Sequence, residues 1–503
     1  MFALLAGGWG DLIVLGQEPE RTSPSAVEAL ETALSQVVEQ AEPSFCAVAV
    51  FDSTPEFPLR GDQNPFFPLL AGEPSAPIPA RFGAGVVIGA IEETKEVLVL
   101  TCAHLLEPVL NASSTSVSSQ IFLSFGPDRT DRATIHALDS RSDLAVLRAP
   151  SLQKHFASVQ FGNQETFTSG TFVAVLGDPW GIVSESRCGS GLGTVSRVQT
   201  TFPRKSPSHP YDPLRSLGFW VRIDAKIAHG LSGGAVLNFQ GELLGITTAL
   251  PADIPGLKSP SLFALPCSSP MHNILEQLRA GYEVDYGFLG ILPHFLLTGP
   301  PLFSAIQSNP DLGHHSPGVR IEKVSLNSPA ERAGLCPHDV ILQLNGKSVS
   351  EGLALQRDIA LLGAGTEVTL DVDRAETQER LTLKARLGKW PAGAGMRIVS
   401  SVSRRPDWRG LSFEFPSARL EFDSDGFIPQ VPHGVLIRGV QPGSLTARAG
   451  LKPGEFIVKV GEQPVETPEE FQEALQYWPR RVPVTLSDGR EISIAPPETT
   501  RNQ

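Results

Sequence analysis

The second half of this 503-residue chain contains an internal repeat, which constrains the fold more than any other feature. Gly318–Val349 aligns without gaps with Gly434–Val465, and 12 of the 32 aligned positions are identical. Each copy has a serine, then Arg-Ala-Gly-Leu-x-Pro, then an apolar run typical of a strand. Such self-similarity indicates that one structural unit occurs twice. We therefore predict two copies of one small domain, at 279–390 and 391–503.

The first half is a series of short β-rich runs separated by turn residues, and the 47 Gly and 43 Pro of the chain also favour turns over long helices. The runs are Cys46–Val50, Ala84–Ile88, Glu96–Leu100, Leu144–Leu147, Phe172–Leu176 and Leu243–Ile246. One helix is predicted from Ser25 to Glu42, with Ser25 and Glu28 as a capping box and Pro43 as its stop. These patterns predict a mainly β fold, with a large domain at 25–278 and a leader at 1–24.

Charge and composition exclude some classes of partner. The formal net charge of −13, without a dense Lys/Arg stripe, argues against nucleic acid, because neutralising phosphates needs a basic face. The five cysteines lack the spacing of a zinc site or a disulfide framework. Met1–Gln17 is apolar but carries Asp11 and has no basic residue before it, so it is either the tail of an export signal or a disordered leader. No later stretch reaches the roughly eighteen apolar residues that span a bilayer.

The strongest local signal is Gly230-Leu231-Ser232-Gly233-Gly234, which follows a strand-like run. Glycines on both sides let the backbone turn tightly and approach a substrate closely. In that setting the amides of Gly230 and Ser232 can point at one spot, as an oxyanion hole requires. The motif predicts a nucleophilic serine.

A base and a carboxylate precede this serine. His104 follows the buried run Val97–Cys102, and Asp143 opens the run Leu144–Leu147. A carboxylate there can orient the imidazole of His104 and stabilise the imidazolium that forms when it takes the proton of Ser232. The chain order His, Asp, Ser is that of chymotrypsin and differs from subtilisin and the α/β-hydrolases. The three motifs together predict a serine endopeptidase.

These motifs resemble the HtrA (DegP-like) proteases of the trypsin-like superfamily, over about residues 25 to 498. The matching segments are Gly83–Ile88, Leu100–His104, Ser142–Leu147, Gly177–Gly181, Gly193–Ser196 and Asp224–Gly245. The resemblance implies a chymotrypsin-like double β-barrel followed by two small PDZ-like α+β domains. It also implies a long regulatory loop at Asp52–Arg81, and assembly into a homotrimer or larger homo-oligomer.

The sequence departs from the family beside the serine. Leu231 stands where the family has Asn, and Ala228-His229 stands where it has Asn-Pro. Because oxyanion donors are backbone amides, Leu231 need not remove them. By alignment Ile227 belongs to the specificity pocket, whose apolar wall suits small or medium aliphatic side chains. Lys226 stands where trypsin has an Asp, so cleavage after Lys or Arg is not expected.

Tyr286-Gly287-Phe288-Leu289-Gly290-Ile291 resembles the carboxylate-binding loop of PDZ domains. Such a loop offers backbone amides to a peptide C-terminus, while the peptide adds a strand to the sheet edge. Phe288, Leu289, Gly290 and Ile291 would then bind the last residue of a peptide; the alternative is the start of a buried strand. The second copy has Trp408-Arg409-Gly410-Leu411 at the equivalent place, and its polar Arg409 indicates a different or weaker preference.

The sequence thus predicts a serine endopeptidase of HtrA type that cleaves unfolded or damaged proteins through an acyl-enzyme. The PDZ-like modules would capture hydrophobic C-termini, and no cofactor or metal is expected. From family habit we expect a periplasmic or secreted protein with no membrane span. The alternative is a catalytically silent chaperone or scaffold, in which the altered loop before Ser232 fails to form an oxyanion hole.

Overall fold

The computed structural model describes residues 25–51, 79–111, 120–125, 130–150, 157–162, 167–177, 189–200, 220–225, 230–248, 262–267, 269–294, 318–374, 377, 379–393, 396–405, 407–423 and 426–496. Helix α1 (Ala26–Ala41) begins with the predicted capping box, in which Ser25 and Glu28 each accept from the other's backbone amide. A 3-10 turn containing Pro43 follows it. The predicted helix is confirmed.

Six antiparallel strands form the first barrel. They are β1 (Phe45–Phe51), β2 (Arg81–Ile91), β3 (Glu96–Cys102), β4 (Gln120–Ser124), β5 (Thr130–Asp139) and β6 (Leu144–Pro150). The order β5-β4-β1-β2-β3-β6 closes because β5 also pairs with β6. Every residue of β1 is buried, as its unbroken apolar sequence requires of a strand covered on both faces. A 3-10 turn (Ala103–Leu106) and the short helix α2 (Glu107–Asn111) follow β3.

A second closed barrel follows, with the strand order β10-β11-β12-β9-β8-β7. Its strands are β7 (Phe172–Gly177), β8 (Gly189–Thr200), β9 (Trp220–Asp224), β10 (Ala235–Leu237), β11 (Leu243–Thr248) and β12 (Leu262–Pro266). Helix α3 (Ser269–Arg279) leads out of this barrel. All six β-rich runs predicted from the sequence are strands of the two barrels.

The first small module is built on the sheet β14-β15-β16-β18-β19, with β17 beside β16 and a separate β13–β20 pair. Its strands are β13 (Gly287–Phe288), β14 (Ile291–Pro293), β15 (Val319–Val324), β16 (Val340–Leu344), β17 (Lys347–Ser348), β18 (Glu367–Arg374), β19 (Glu379–Arg386) and β20 (Gly388–Lys389). Helices α4 (Pro329–Arg332) and α5 (Gly352–Leu362) complete it.

The second module repeats this arrangement, after a strand β21 (Ile398–Ser400) that pairs with β5 of the first barrel. Its elements are β22 (Leu411–Glu414), β23 (Val435–Val440), α6 (Leu445–Arg448), β24 (Phe456–Val460), β25 (Gln463–Pro464), α7 (Pro468–Gln476), β26 (Val482–Leu486) and β27 (Glu491–Ile494). The elements of the two copies fall at the same positions of the ungapped alignment, so the internal repeat is confirmed.

The predicted fold class is confirmed: two six-stranded barrels precede two small α+β sheets, and the whole is mainly β. The proposed domain bounds stay a prediction. The predicted long insertion falls mostly outside the described residues. Within the residues described, none of the helices combines the length and the apolar character needed to cross a membrane.

Candidate active site at the junction of the two barrels

His104 lies on the 3-10 turn after β3, at the edge of the first barrel. Because β3 is buried from Val97 to Cys102, the turn starts from a rigid strand. The side chain of His104 is 16% exposed, and its Nδ1 lies 2.9 Å from Asp143 Oδ2. The backbone amide of His104 also donates to Asp143 Oδ1, at 3.0 Å. One carboxylate therefore holds both the ring and the backbone of this histidine.

Asp143 ends a four-residue turn between β5 and β6. Its φ of 59° lies in the left-handed region, which aspartate tolerates better than most residues but which the surroundings must stabilise. The carbonyl of Asp143 accepts from the amide of Ala103 at 2.9 Å. From the second barrel, the hydroxyl of Thr248 donates to Asp143 Oδ2 at 3.1 Å. The sequence reasoning missed Thr248, whose only signal is a hydroxyl at the end of a buried strand.

The contact with Asp143 shifts the ionisation of His104. Burial alone would lower the pKa of the imidazole, but the charge of Asp143 and its hydrogen bond outweigh burial and raise the pKa above its ordinary value of 6.5. The carboxylate therefore favours the imidazolium form. That form is the one a general base reaches when it removes a proton from a nucleophile.

Ser232 lies in the turn before β10 and is 6% exposed. Its carbonyl accepts from the amide of Ala84 in β2 at 2.8 Å, which ties this turn of the second barrel to the first. The next residue, Gly233, has a φ of 84°, and a Cβ there would lie 2.1 Å from the Ala84 carbonyl oxygen and 2.4 Å from Thr101 Oγ1. Only glycine allows this approach, which places the serine turn against the strand that leads into His104.

The structure thus joins His104 to Asp143 by hydrogen bonds and sets the backbone turn of Ser232 against the first barrel. The catalytic roles of His104, Asp143 and Ser232 stay a prediction. The oxyanion hole formed by the amides of Gly230 and Ser232 stays a prediction, although the φ of 97° at Gly230 fits the expected tight turn. Ile227 lies outside the described residues, so its place in the specificity pocket is also still a prediction.

Cys102, His104 and Asp143 offer ligand atoms that all lie within 4.8 Å of one another. A metal would need the thiolate form of Cys102. Burial, and then the charge of Asp143, raise the pKa of this thiol, and its sulfur contacts the carbonyl of Thr247 at 3.3 Å. A thiol that keeps its proton is a poor metal ligand, so the donor set fits a packed junction better than a metal centre.

The predicted carboxylate-binding loop of the first module includes β13, the turn at Leu289 and Gly290, and the first residue of β14. Phe288 and Leu289 are buried, Ile291 is half-buried, and Gly290 makes the turn with a φ of 85°. These four residues line one pocket of about 30 Å³. The other lining residues come from the end of β15, α5 and the chain after β20. They are Ser325, which directly follows β15, and Gln356, Ile359, Trp390, Phe422, Gly426, Phe427 and Ile428. Peptide binding at this pocket stays a prediction.

Three family models match the chain, each over a separate segment. Residues 83–246 match the trypsin-like peptidase domain, and residues 305–385 and 436–486 each match a PDZ domain. The first segment contains the junction with His104, Asp143 and Ser232. The other two fall on the repeated modules.

Curated relatives match most of the chain. A probable periplasmic serine endoprotease, DegP-like, of Halomonas elongata is 28% identical over 429 residues, which cover 85% of this chain and 80% of the relative. A probable periplasmic serine protease do/HhoA-like of Haemophilus influenzae is 26% identical, over 81% of this chain and 76% of the relative. Among solved structures, the HtrA-type protease AlgW with decapeptide aligns with a TM-score of 0.48 and 22% identity, covering 71% of this chain and 99% of that one.

Proposed function

We propose that this chain, which is an HtrA/DegP-like serine endoprotease with a trypsin-like domain and two PDZ domains, cleaves unfolded or damaged proteins through an acyl-enzyme on Ser232. In this proposal His104 takes the proton of Ser232 while the hydroxyl oxygen attacks the peptide carbonyl. Asp143 keeps the imidazole oriented and stabilises its charged form. His104 then returns the proton to the leaving amine, and water releases the acyl group by the same route.

One observation supports this assignment most. The buried carboxylate of Asp143 contacts the ring of His104 at 2.9 Å and the hydroxyl of Thr248 at 3.1 Å. It is therefore hydrogen-bonded to residues of both barrels. A buried carboxylate stays ionised only when such partners compensate its charge. Acyl transfer requires an oriented base beside the nucleophilic serine, and this contact supports His104 as that base.

The proposal extends to partners and compartment. The substrates would be unfolded proteins, captured by their hydrophobic C-termini at Phe288–Ile291 and so raised in local concentration near the active site. Because two relatives are named periplasmic, we propose a periplasmic or secreted location. The homotrimer implied by the family resemblance stays a prediction, which sedimentation equilibrium of the purified chain would test.

A fluorophosphonate probe tests the assignment directly, because it reacts only with an activated serine. We expect the full-length protein to be labelled once per chain and to degrade a reduced, alkylated substrate protein. Ser232→Ala should abolish labelling and lower the cleavage rate by about 10³-fold or more.

Ser196→Ala is the matched control, since Ser196 also lies in the second barrel but its exposed hydroxyl donates to the carbonyl of Arg222 at 3.1 Å. This variant should still be labelled. A wild-type protein that binds the unfolded substrate without labelling or cleavage would establish the silent chaperone instead.

A further inference from the structure

The turn that presents Asp143 is anchored from outside the two barrels. Arg141, two residues earlier, is 1% exposed; its Nε donates to Asp139 Oδ1 at 2.6 Å, and its Nη2 donates to the carbonyl of Val284 at 2.8 Å. The hydroxyl of Tyr286 donates to Asp139 Oδ2 at 2.5 Å, and the guanidinium of Arg141 stacks over the Tyr286 ring at 4.4 Å. The two residues outside the barrels that make these contacts, Val284 and Tyr286, lie at the start of the first PDZ module.

This contact is strong because it is buried and charged. Asp139, Arg141 and Tyr286 are all 2% exposed or less, so their ion pair and hydrogen bonds are shielded from water. Burial, and then the charge of Asp139, raise the pKa of Tyr286 well above its ordinary value of 10. The phenol therefore keeps its proton and acts as the donor.

The contact of Asp139 and Arg141 with Tyr286 is separated from the carboxylate of Asp143 by only a few residues of chain. Asp139 is the last residue of β5 and pairs with Leu144, the first residue of β6, so the turn between them has only four residues. Asp143 occupies the left-handed end of that turn, a conformation that costs free energy unless neighbours hold it. Any movement of Asp139 or Arg141 is therefore passed directly to the carboxylate that orients His104.

We infer that Tyr286, although part of the first PDZ module, is a positioning residue for the catalytic Asp143, acting through Asp139 and Arg141. Tyr286 is also the first residue of the peptide-binding loop, and its carbonyl accepts from the amide of Trp390 at 2.8 Å. The module therefore completes the active-site turn in addition to binding peptide. This inference rests on the proposed roles of Ser232, His104 and Asp143.

The test compares the fluorophosphonate labelling of full-length variants. Tyr286→Phe keeps the stacked ring but loses the hydrogen bond, and we expect a labelling rate constant and kcat about three- to tenfold lower, with KM unchanged. The final extent of labelling should match the wild type, because a folded enzyme with a misplaced carboxylate reacts slowly but completely. A merely structural defect would instead lower the extent of labelling and leave the rate constant of the folded fraction unchanged.

Two further variants complete the experiment. Tyr282→Phe is the matched control, since Tyr282 lies on the same connecting segment but packs under Arg404 at 5.4 Å, and it should label at the wild-type rate. Asp139→Asn should slow labelling, and adding Tyr286→Phe to it should cause little further loss, because the two residues share one interaction.

Wild-type rates in Tyr286→Phe, or full additivity with Asp139→Asn, would overturn the inference while leaving the protease assignment intact. Absence of Ser232-dependent labelling in the wild type would overturn the protease assignment itself, and the inference with it.

Discussion

The two PDZ modules make the same loop turn at Gly290 and Gly410. The φ values are 85° and 84°, and a Cβ at either position would lie 2.3 Å from the Cβ of Ser328 or Ser444, the serines that the internal repeat places in register. Each glycine also heads an antiparallel strand pair of the same kind. The two modules therefore share the turn at the glycine, but the residue before it differs: Arg409 has a left-handed φ of 52°, and Leu289 does not have a positive φ.

The side chains around the two loops differ. In the first module Leu289 is buried beside the pocket. The equivalent residue in the second, Arg409, donates to the carbonyls of Ile494 and Ala495 at 3.3 and 2.8 Å, and its guanidinium lies 4.7 Å from the centre of the Trp408 ring. The second loop is thus tied to the last strand of its own module. A shared glycine turn does not by itself give a shared binding site.

The first module is also joined to its surroundings by buried charge. Lys389 Nζ, on a residue 2% exposed, lies within 2.8 Å of carboxylate oxygens of Glu283, Asp285 and Glu414. Arg405 contacts Glu414 at 2.8 Å and extends this cluster towards α7. The charged residues that contact the first module therefore include residues of the linker and of the second module. These residues lie outside the aligned repeat.

Removing the central cation should have the largest effect. Lys389→Met leaves three buried carboxylates without their shared partner, and we expect a loss of about 3–5 kcal/mol in the free energy of unfolding. Lys384→Met is the control, because its ion pair with Glu367 is exposed and contributes under about 1 kcal/mol. Calorimetry of both variants measures the difference. If both variants lose the same small amount of unfolding free energy, the buried cluster around Lys389 contributes no more to stability than an exposed ion pair.

The same cluster predicts a pH dependence. Burial would raise the pKa of Glu283 and Asp285, but Lys389 outweighs burial and lowers both below their ordinary values of 4.5 and 3.8. The stability they contribute is complete above about pH 4.5 and is lost as pH falls through the lowered folded-state values. The stability gap between wild type and Lys389→Met should therefore narrow below pH 4. A gap that stays constant from pH 7 to pH 3 would contradict this.

Substitutions at Gly290 and Gly410 test the shared glycine turn, and we expect an effect of intermediate size. Gly290→Ala and Gly410→Ala should each cost about 2–4 kcal/mol, from the left-handed conformation and the clash with the serine. Gly334→Ala and Gly450→Ala are matched controls, since both have positive φ and open space around a Cβ, so they measure the conformational cost alone. Hydrogen exchange of the loop peptides reports each module separately. Costs that differ between the modules by more than about 1 kcal/mol would break the equivalence.

Local sequence patterns predicted much of this molecule. The capping box at Ser25, the buried runs of the barrels and the repeated Arg-Ala-Gly-Leu-x-Pro each depend on residues close together in the chain, and each pattern corresponds to one element. His104 and Asp143 were found because chain order and strand ends limit where a base and a carboxylate can meet. Their side chains lie 2.9 Å apart, and their catalytic roles stay a prediction.

Contacts between distant segments could not be predicted in this way. Thr248, Tyr286 and Phe427 act through packing across barrels or modules, and nothing in their local sequence indicates a partner. Tyr286 reads as an ordinary residue at the start of a binding loop until the structure places Asp139 next to it. Such contacts depend on how distant segments of the chain pack against one another, and a single sequence does not give that information.

The pocket at Phe288–Ile291 is also lined by residues of the second module, so it tests whether the second module affects the peptide preference of the first. Phe427 lines the same pocket as Phe288, and the centre of its ring lies 5.5 Å from Lys323 Nζ. Phe427→Ala should widen the pocket and favour peptides that end in Phe over those that end in Val by about 1 kcal/mol relative to wild type. Tyr477→Ala, at an exposed aromatic of the second module, is the control. Fluorescence anisotropy with both peptides, each paired with its C-terminal amide, measures the ratio, and an unchanged ratio would show that Phe427 does not limit the pocket.

The smallest expected effect is a gain at the second loop. Arg409→Leu introduces the residue type that the first module has at Leu289. The φ of 52° at position 409 is left-handed and unfavourable for arginine and leucine alike, so the substitution changes the conformational cost little. Losing the bonds to Ile494 and Ala495 frees the loop, and we expect a second, weak peptide site worth about 1 kcal/mol over background. Titration calorimetry should then show two peptides per chain instead of one, whereas Arg409→Lys, which keeps the cation, should still show one. If Arg409→Leu also binds one peptide, the difference between the modules lies in the pocket walls and not in this residue.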